Sequence, residues 1–234
     1  DSVGAKEYDE CLLKMKFLTD PPKTFELIET LLWEQGTGFW LLERHFERLR
    51  ASASYFSFKL DEAAARSALE REIQSAGKTH PRLRVRMLLS EDGRITVTSA
   101  PQPAPAKDAR TRYVISPTRL DSADAFLFHK TTRRELYDQE WKFYSETAGA
   151  DEVVYLNERG ELAEGSRTNI FVERDGLLVT PPLPAGLLPG VLRAELIATG
   201  RAVEGVLFAD DLVAGNPVYL GNSVRGLMPA ERLG

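Results

Sequence analysis

The sequence predicts an α+β chain of two unequal domains, a smaller α/β domain over residues 21–105 and a larger one over 106–234. Three observations carry that prediction. Strand and helix patterns follow one another irregularly, with no internal repeat. "RLRVRMLLS", "EDG" and "RITVTSA" (82–100) make a hairpin that closes the first half. "PQPAPAKDA" (101–109) cannot pair as a central strand and reads as a linker, which puts the boundary there.

Residues 5–17, "AKEYDECLLKMKF", have helical composition and are stopped by "TDPP". The alternation from Thr24 to Trp33 predicts a strand, and "EQGTG" supplies turn residues before Phe39 and Trp40. Helices follow over 42–55 and 61–76, the second opened by Asp61 as N-cap. Beyond the linker come a strand near 112–116, a buried apolar strand at Phe126–Phe128, and a helix from Thr131 through Tyr144. Short strands at 152–156, 161–164 and 168–173 are followed by "LLVTPP" and a helix from Pro189 to Thr199. Strands at 202–208 and near 217–220 complete the chain.

With 234 residues the chain buries a sizeable core, and a net charge of -5 with interspersed signs excludes a general nucleic-acid surface. Any anionic ligand must then be met by placed arginines. One cysteine, Cys11, excludes a disulfide framework and a Cys-rich metal site, and points to a reducing, cytoplasmic compartment. No apolar run approaches membrane-spanning length, and no signal-peptide core is present.

Lys130 lies in "FLFHKTTRRELYDQE", at an expected strand-to-helix junction. By itself it fits a lysine whose stem packs while its ammonium reaches water, or a desolvated amine nucleophile beside Arg133 and Arg134. Glu164 in "ELAEGSRTNIFV" alone fits a solvated turn carboxylate. "LLPGVLRAELI" alone fits a capped helix, or one whose free N–H groups take a phosphate. Arg48 in "HFERL", and Ser223 and Arg225 in "GNSVRG", add anion-binding side chains.

In order, "ERHFERL", "HK", "EGSRTNIF", "LLPGV" and "GNSVRGLMP" resemble the motif series of fold-type IV pyridoxal-phosphate enzymes, over residues 25–234. That group includes branched-chain and D-amino-acid aminotransferases and aminodeoxychorismate lyase. The resemblance implies the D-amino-acid-aminotransferase-like fold, with a barrel-like sheet in the larger domain, and a homodimer. It implies pyridoxal 5'-phosphate as cofactor, Lys130 as the Schiff-base lysine and Glu164 as the carboxylate facing the pyridine nitrogen. Arg48, Ser223, Asn169 and the backbone of Val191 and Leu192 fall on the cofactor-binding positions, with Leu192 standing where aminotransferases usually carry threonine.

Residues 1–20 are similar to the closing segment of chorismate-binding synthases, with Glu7 and Glu10 at positions that supply magnesium ligands there, though this segment alone builds no metal site. Together with the "FLFHKTTRRELYD" form of the lysine motif, this resembles aminodeoxychorismate synthase component I fused to aminodeoxychorismate lyase, so the upstream synthase domain is an expected partner. The implied reaction converts 4-amino-4-deoxychorismate to 4-aminobenzoate and pyruvate, a folate-synthesis step. Thr30 matches a lyase threonine able to protonate the leaving group, or is simply a strand residue. The substrate's two carboxylates need cations, and Arg84 and Arg86, sharing a strand face with Arg82, are candidates with Arg133, Arg134 and Arg225. Tyr137, two helical turns from Lys130 on this reading, either approaches the cofactor or packs. A class IV aminotransferase acting on D- or branched-chain amino acids is the alternative reading.

Overall fold

The computed structural model describes residues 24–106, 109–213 and 215–233. The segment 1–20, with Cys11, Glu7 and Glu10, lies outside the described residues.

A four-stranded antiparallel sheet, in order β2-β1-β3-β4, is made by β1 (Leu27–Glu34), β2 (Gly38–Phe39), β3 (Arg82–Leu89) and β4 (Ile95–Pro101). Helices α1 (Leu42–Phe56) and α2 (Glu62–Ala76) interrupt it, and Asp61 caps α2 by accepting the Ala64 N–H at 2.9 Å. The period of two divides the sheet into unlike faces. Leu31, Val85 and Met87 pack with Phe46, Leu49 and Leu69 of the helices. Thr30 pairs Arg86, which pairs Thr98, so the opposite face is polar and cationic.

Eight strands make the second, mixed sheet, in order β10-β9-β8-β11-β12-β5-β6-β7. They are β5 (Thr111–Leu120), β6 (Glu152–Asn157), β7 (Leu162–Gly165), β8 (Asn169–Arg174), β9 (Leu177–Thr180), β10 (Ala202–Glu204), β11 (Val218–Asn222) and β12 (Gly226–Arg232). The sheet curls into a half-barrel; β7 turns into β8 with the Gly165 N–H bonded to the Thr168 carbonyl at 2.8 Å. Helices α3 (Glu135–Ala148) and α4 (Val191–Ala198) pack against it.

Several local expectations are corrected. Phe126–Phe128 belongs to a 3-10 turn, Ala125–Phe128, not a strand, because the Asp124 side chain caps it at the Phe126 N–H. Its apolar residues point to different neighbours, Phe126 stacking near Phe25 and Phe56 while Leu127 enters the second core. The helix starts at Glu135 rather than Thr131 because the chain before it is held extended against β1. Ile28 N–H bonds the Lys130 carbonyl at 2.8 Å, Thr132 N–H bonds the Glu26 carbonyl at 2.9 Å, and Leu27 bridges Thr131. Lys130 is therefore on a rung added to β1, and Tyr137 is in the first turn of α3 rather than two turns along a helix from Lys130.

The strand expected at 202–208 ends at Glu204, after which the chain crosses to β7, where Leu162 N–H bonds the Leu207 carbonyl at 2.7 Å. Strand β12 was not expected, and it carries Pro229, an unusual residue for a central strand. Pro229 sits opposite Tyr219 of β11, and pairing with β5 begins only at Ala230, so its missing N–H breaks no rung.

Candidate active site

Between the polar face of the first sheet and the open side of the half-barrel lies a cavity of about 520 Å3. The added rung puts Lys130 on its wall. Removal from water, with the charges of Arg134 and Arg48 nearby, pulls the Lys130 amine down to about 7, against the opposing pull of Glu29 and Glu164. A large part of its amine is then neutral near pH 7, which a nucleophile requires.

Glu164, on β7, is 6% exposed and its carboxyl is held on both oxygens. Tyr137 Oη donates to Oε1 at 2.8 Å and the Leu188 N–H donates to Oε2 at 2.9 Å. Burial outweighs these bonds and the Arg134 and Lys130 charges, raising the carboxyl to about 7. A desolvated carboxylate in this state gains strongly from an incoming cation such as a protonated ring nitrogen.

The N-terminus of α4 faces the same space, where first-turn N–H groups have no intrahelical acceptor. Its N-cap, Gly190, is required: a Cβ there would stand 1.8 Å from Asn169 Oδ1. Asn169 fixes the preceding turn through Nδ2 to the Leu188 carbonyl at 3.0 Å. Val191, Ser223 and Arg48 line the cavity. Leu192 turns its side chain into the apolar cluster with Phe171 and Leu196, leaving its backbone N–H as the group it offers.

The orientation of Arg48 comes from residues that sequence reasoning missed. Glu29, 1% exposed, takes Arg48 Nε at 2.9 Å and Nη2 at 2.7 Å, and His45 Nδ1 at 2.6 Å. Burial pushes the Glu29 carboxyl up, but the Arg48 charge and the bonds from His45 and Arg48 overcome it and hold it at about 2. Burial keeps His45 below its ordinary value, so a neutral imidazole donates through Nδ1. The sequence signal was present: His45 and Arg48 are at i and i+3 on α1, opposite an acid in an otherwise apolar strand face.

Thr30, Arg84 and Arg86 line the cavity from the first sheet; Arg82 pairs with Glu34 at 3.0 Å at the sheet end instead. Arg133, stacked over Phe126 at 4.3 Å, and Arg225 also reach it, as do Arg134 and Arg167, the latter unforeseen. The residues present fit pyridoxal phosphate: a depressed lysine amine, a buried carboxyl held on both oxygens, a Gly-capped helix end and a pre-oriented arginine share one cavity.

Glu29→Gln is expected to weaken pyridoxal-phosphate binding about tenfold, since Arg48 loses its two-point ionic hold. The depressed Glu29 pKa contributes stability that is complete above about pH 4.5 and lost as pH falls toward 2, so the variant should also melt earlier at pH 7. Cofactor titration and thermal melts check both, and an unchanged cofactor affinity would show that Arg48 is oriented without Glu29.

A family model described as amino-transferase class IV matches residues 26–233. The chain is 42% identical to a solved Mesorhizobium loti protein provisionally named an amino-acid aminotransferase, covering 89% of this chain and 100% of that one with a TM-score of 0.84. It is 29% identical over 203 residues to a Schizosaccharomyces pombe protein provisionally named aminodeoxychorismate lyase, covering 85% of this chain and 86% of the relative. The aminodeoxychorismate lyase of Saccharomyces cerevisiae is 27% identical over 259 residues, covering 85% of this chain and 69% of the relative.

Proposed function

The chain belongs to the amino-transferase class IV family, whose members depend on pyridoxal phosphate, and from that premise we propose that it is a 4-amino-4-deoxychorismate lyase releasing 4-aminobenzoate and pyruvate. The observation that carries this reading is the wall of arginines around Lys130 and Glu164, suited to a substrate with two carboxylates. The synthase-like stretch "EYDEC" supports it further, and with it a polypeptide in which a chorismate-binding part precedes the lyase. The reading extends to a homodimer, as the family resemblance implies, in the cytoplasmic compartment that the single cysteine points to.

Bound pyridoxal phosphate supplies an electron sink for the carbon bearing the substrate's amine. Arg48, Ser223 and the first-turn N–H groups of α4 would hold its phosphate, and Glu164, steadied by Tyr137 and Leu188, would keep a proton on its ring nitrogen. Lys130 would offer a neutral Nζ to remove the proton from the amine-bearing carbon of the substrate. Breaking the neighbouring carbon–oxygen bond would then turn the electron pair left there into the last double bond of the substrate's own ring, so that the enolpyruvyl oxygen leaves with its bonding pair and an aromatic amine remains. Thr30, which lines the cavity from β1, would protonate the departing group.

Transamination is the second reading, favoured by the 42% identity to a protein provisionally named an amino-acid aminotransferase. It uses the same lysine and glutamate. The holoenzyme given enzymatically generated aminodeoxychorismate should form 4-aminobenzoate and pyruvate in equal amounts without an oxo-acid acceptor. No 4-aminobenzoate, with amino transfer from D- or branched-chain amino acids, would replace the lyase reading by the second.

A further inference from the structure

Arg134, Arg167 and Arg225 come from three separate segments, yet one hydrogen-bonded frame holds them. Arg134 Nη2 donates to the Ser166 carbonyl at 2.5 Å, and the next carbonyl, that of Arg167, accepts from Asn222 Nδ2 at 3.1 Å. The Asn222 Oδ1 in turn accepts the Val224 and Arg225 N–H groups, both at 3.0 Å. The start of α3, the β7–β8 turn and the β11–β12 turn are thereby tied together behind three guanidinium groups that line the cavity.

Their charges are weakly answered. Arg134 Nε is 3.8 Å from Asp138, beyond hydrogen-bonding distance, and Asp138 is exposed. Glu152, which also faces Arg167, is occupied by the hydroxyls of Ser166 and Thr168. Arg167 lies 3.7 Å over the Trp141 ring, whose N–H is committed to the Asp151 carbonyl. Stacking fixes the guanidinium plane and leaves its N–H edge for an in-plane acceptor. Burial lowers the Arg167 pKa, Arg134 and Arg225 act in the same sense, and Glu152 and Asp138 oppose them. An incoming anion relieves that repulsion.

We propose that Arg134, Arg167 and Arg225 form a carboxylate recess, which binds one carboxylate of a dicarboxylate substrate while Arg84 and Arg86 on the opposite wall face the other. The assignment rests on the reading that the cavity handles a substrate with two carboxylates, and it adds which wall takes which kind of contact. Arg48 and the α4 terminus are a separate anion site, since Arg48 is bound to Glu29 and to the Pro189 carbonyl rather than to this frame.

The test uses the cofactor-loaded protein and two unreactive probes, isophthalate and benzoate, titrated by calorimetry and by the change in cofactor absorbance. Wild type should bind isophthalate at least about tenfold more tightly than benzoate, from the second charged contact. Arg167→Gln and Arg225→Gln should each reduce that preference below about threefold, with pyridoxal-phosphate affinity changed less than about threefold. No preference in wild type, a preference surviving in both variants, or a parallel loss of cofactor affinity overturns the recess. Should 4-aminobenzoate fail to form while the preference and its loss in the variants are seen, the lyase reading falls and the recess stands. If turnover is confirmed but Arg167→Gln leaves KM for aminodeoxychorismate unchanged, the recess falls and the lyase stands.

Discussion

Lys130→Met is expected to remove the visible absorbance of lysine-bound cofactor and to lower turnover by about 10^4-fold or more, because both nucleophile and proton acceptor are lost. It should also stabilise the cofactor-free protein. The unfolded lysine holds its proton up to about 10.5, whereas the folded site releases it at about 7. Folding therefore expels a proton between those values, at a cost that grows as pH falls from 10.5 toward 7 and is constant below. Methionine has no such cost and a similar length, so the gain should be about 2–4 kcal/mol at pH 7 and should shrink toward pH 10. Thermal melts of the cofactor-free proteins at both pH values read this directly. A lower melting temperature at pH 7, or a gain independent of pH, would mean that the amine is not desolvated. Covalent cofactor retained in the variant would move the imine to another lysine.

Motif order made part of the site legible in the sequence, while strand register and sheet curl hid the rest. Lys130, Glu164, Arg48 and Ser223 stood in short motifs whose residue order survives without three-dimensional information, and all four line one cavity. Glu29 carried no motif. Its role follows from register, which places it opposite His45 and Arg48 on the helix-covered face while Thr30, one residue later, faces the cavity. Arg167 was hidden for a similar reason, since only the curl from β7 into β8 brings it over Trp141. The regular elements were read well where periodicity ran long, as in α1, α2 and the β3–β4 hairpin. They were misread where tertiary pairing overrides local pattern. "FLF" has strand composition but is wound into a 3-10 turn capped by Asp124, and "KTT" has a rung on β1 that delays the helix.

Glu164→Gln separates catalysis from cofactor binding. The amide keeps the shape of the carboxyl, and its oxygen can still accept from the Leu188 N–H while the Tyr137 hydroxyl rotates to accept from the new NH2. What it loses is full negative charge opposite the ring nitrogen. That charge matters most when electrons flow into the ring, so turnover should fall about 10^2- to 10^3-fold and cofactor affinity less than about tenfold. The cofactor-free variant should not be less stable. Burial raises the Glu164 carboxyl from 4.5 to about 7, so ionisation in the unfolded chain opposes folding above pH 4.5, fully so above about 7. Glutamine escapes that opposition, and its melting temperature should meet or exceed wild type at pH 8. Equal losses in turnover and cofactor affinity would reduce Glu164 to an anchoring group. A near wild-type rate would remove the carboxylate from the electron-sink role, and with it the account of why a buried, doubly hydrogen-bonded acid faces Lys130 across the cavity.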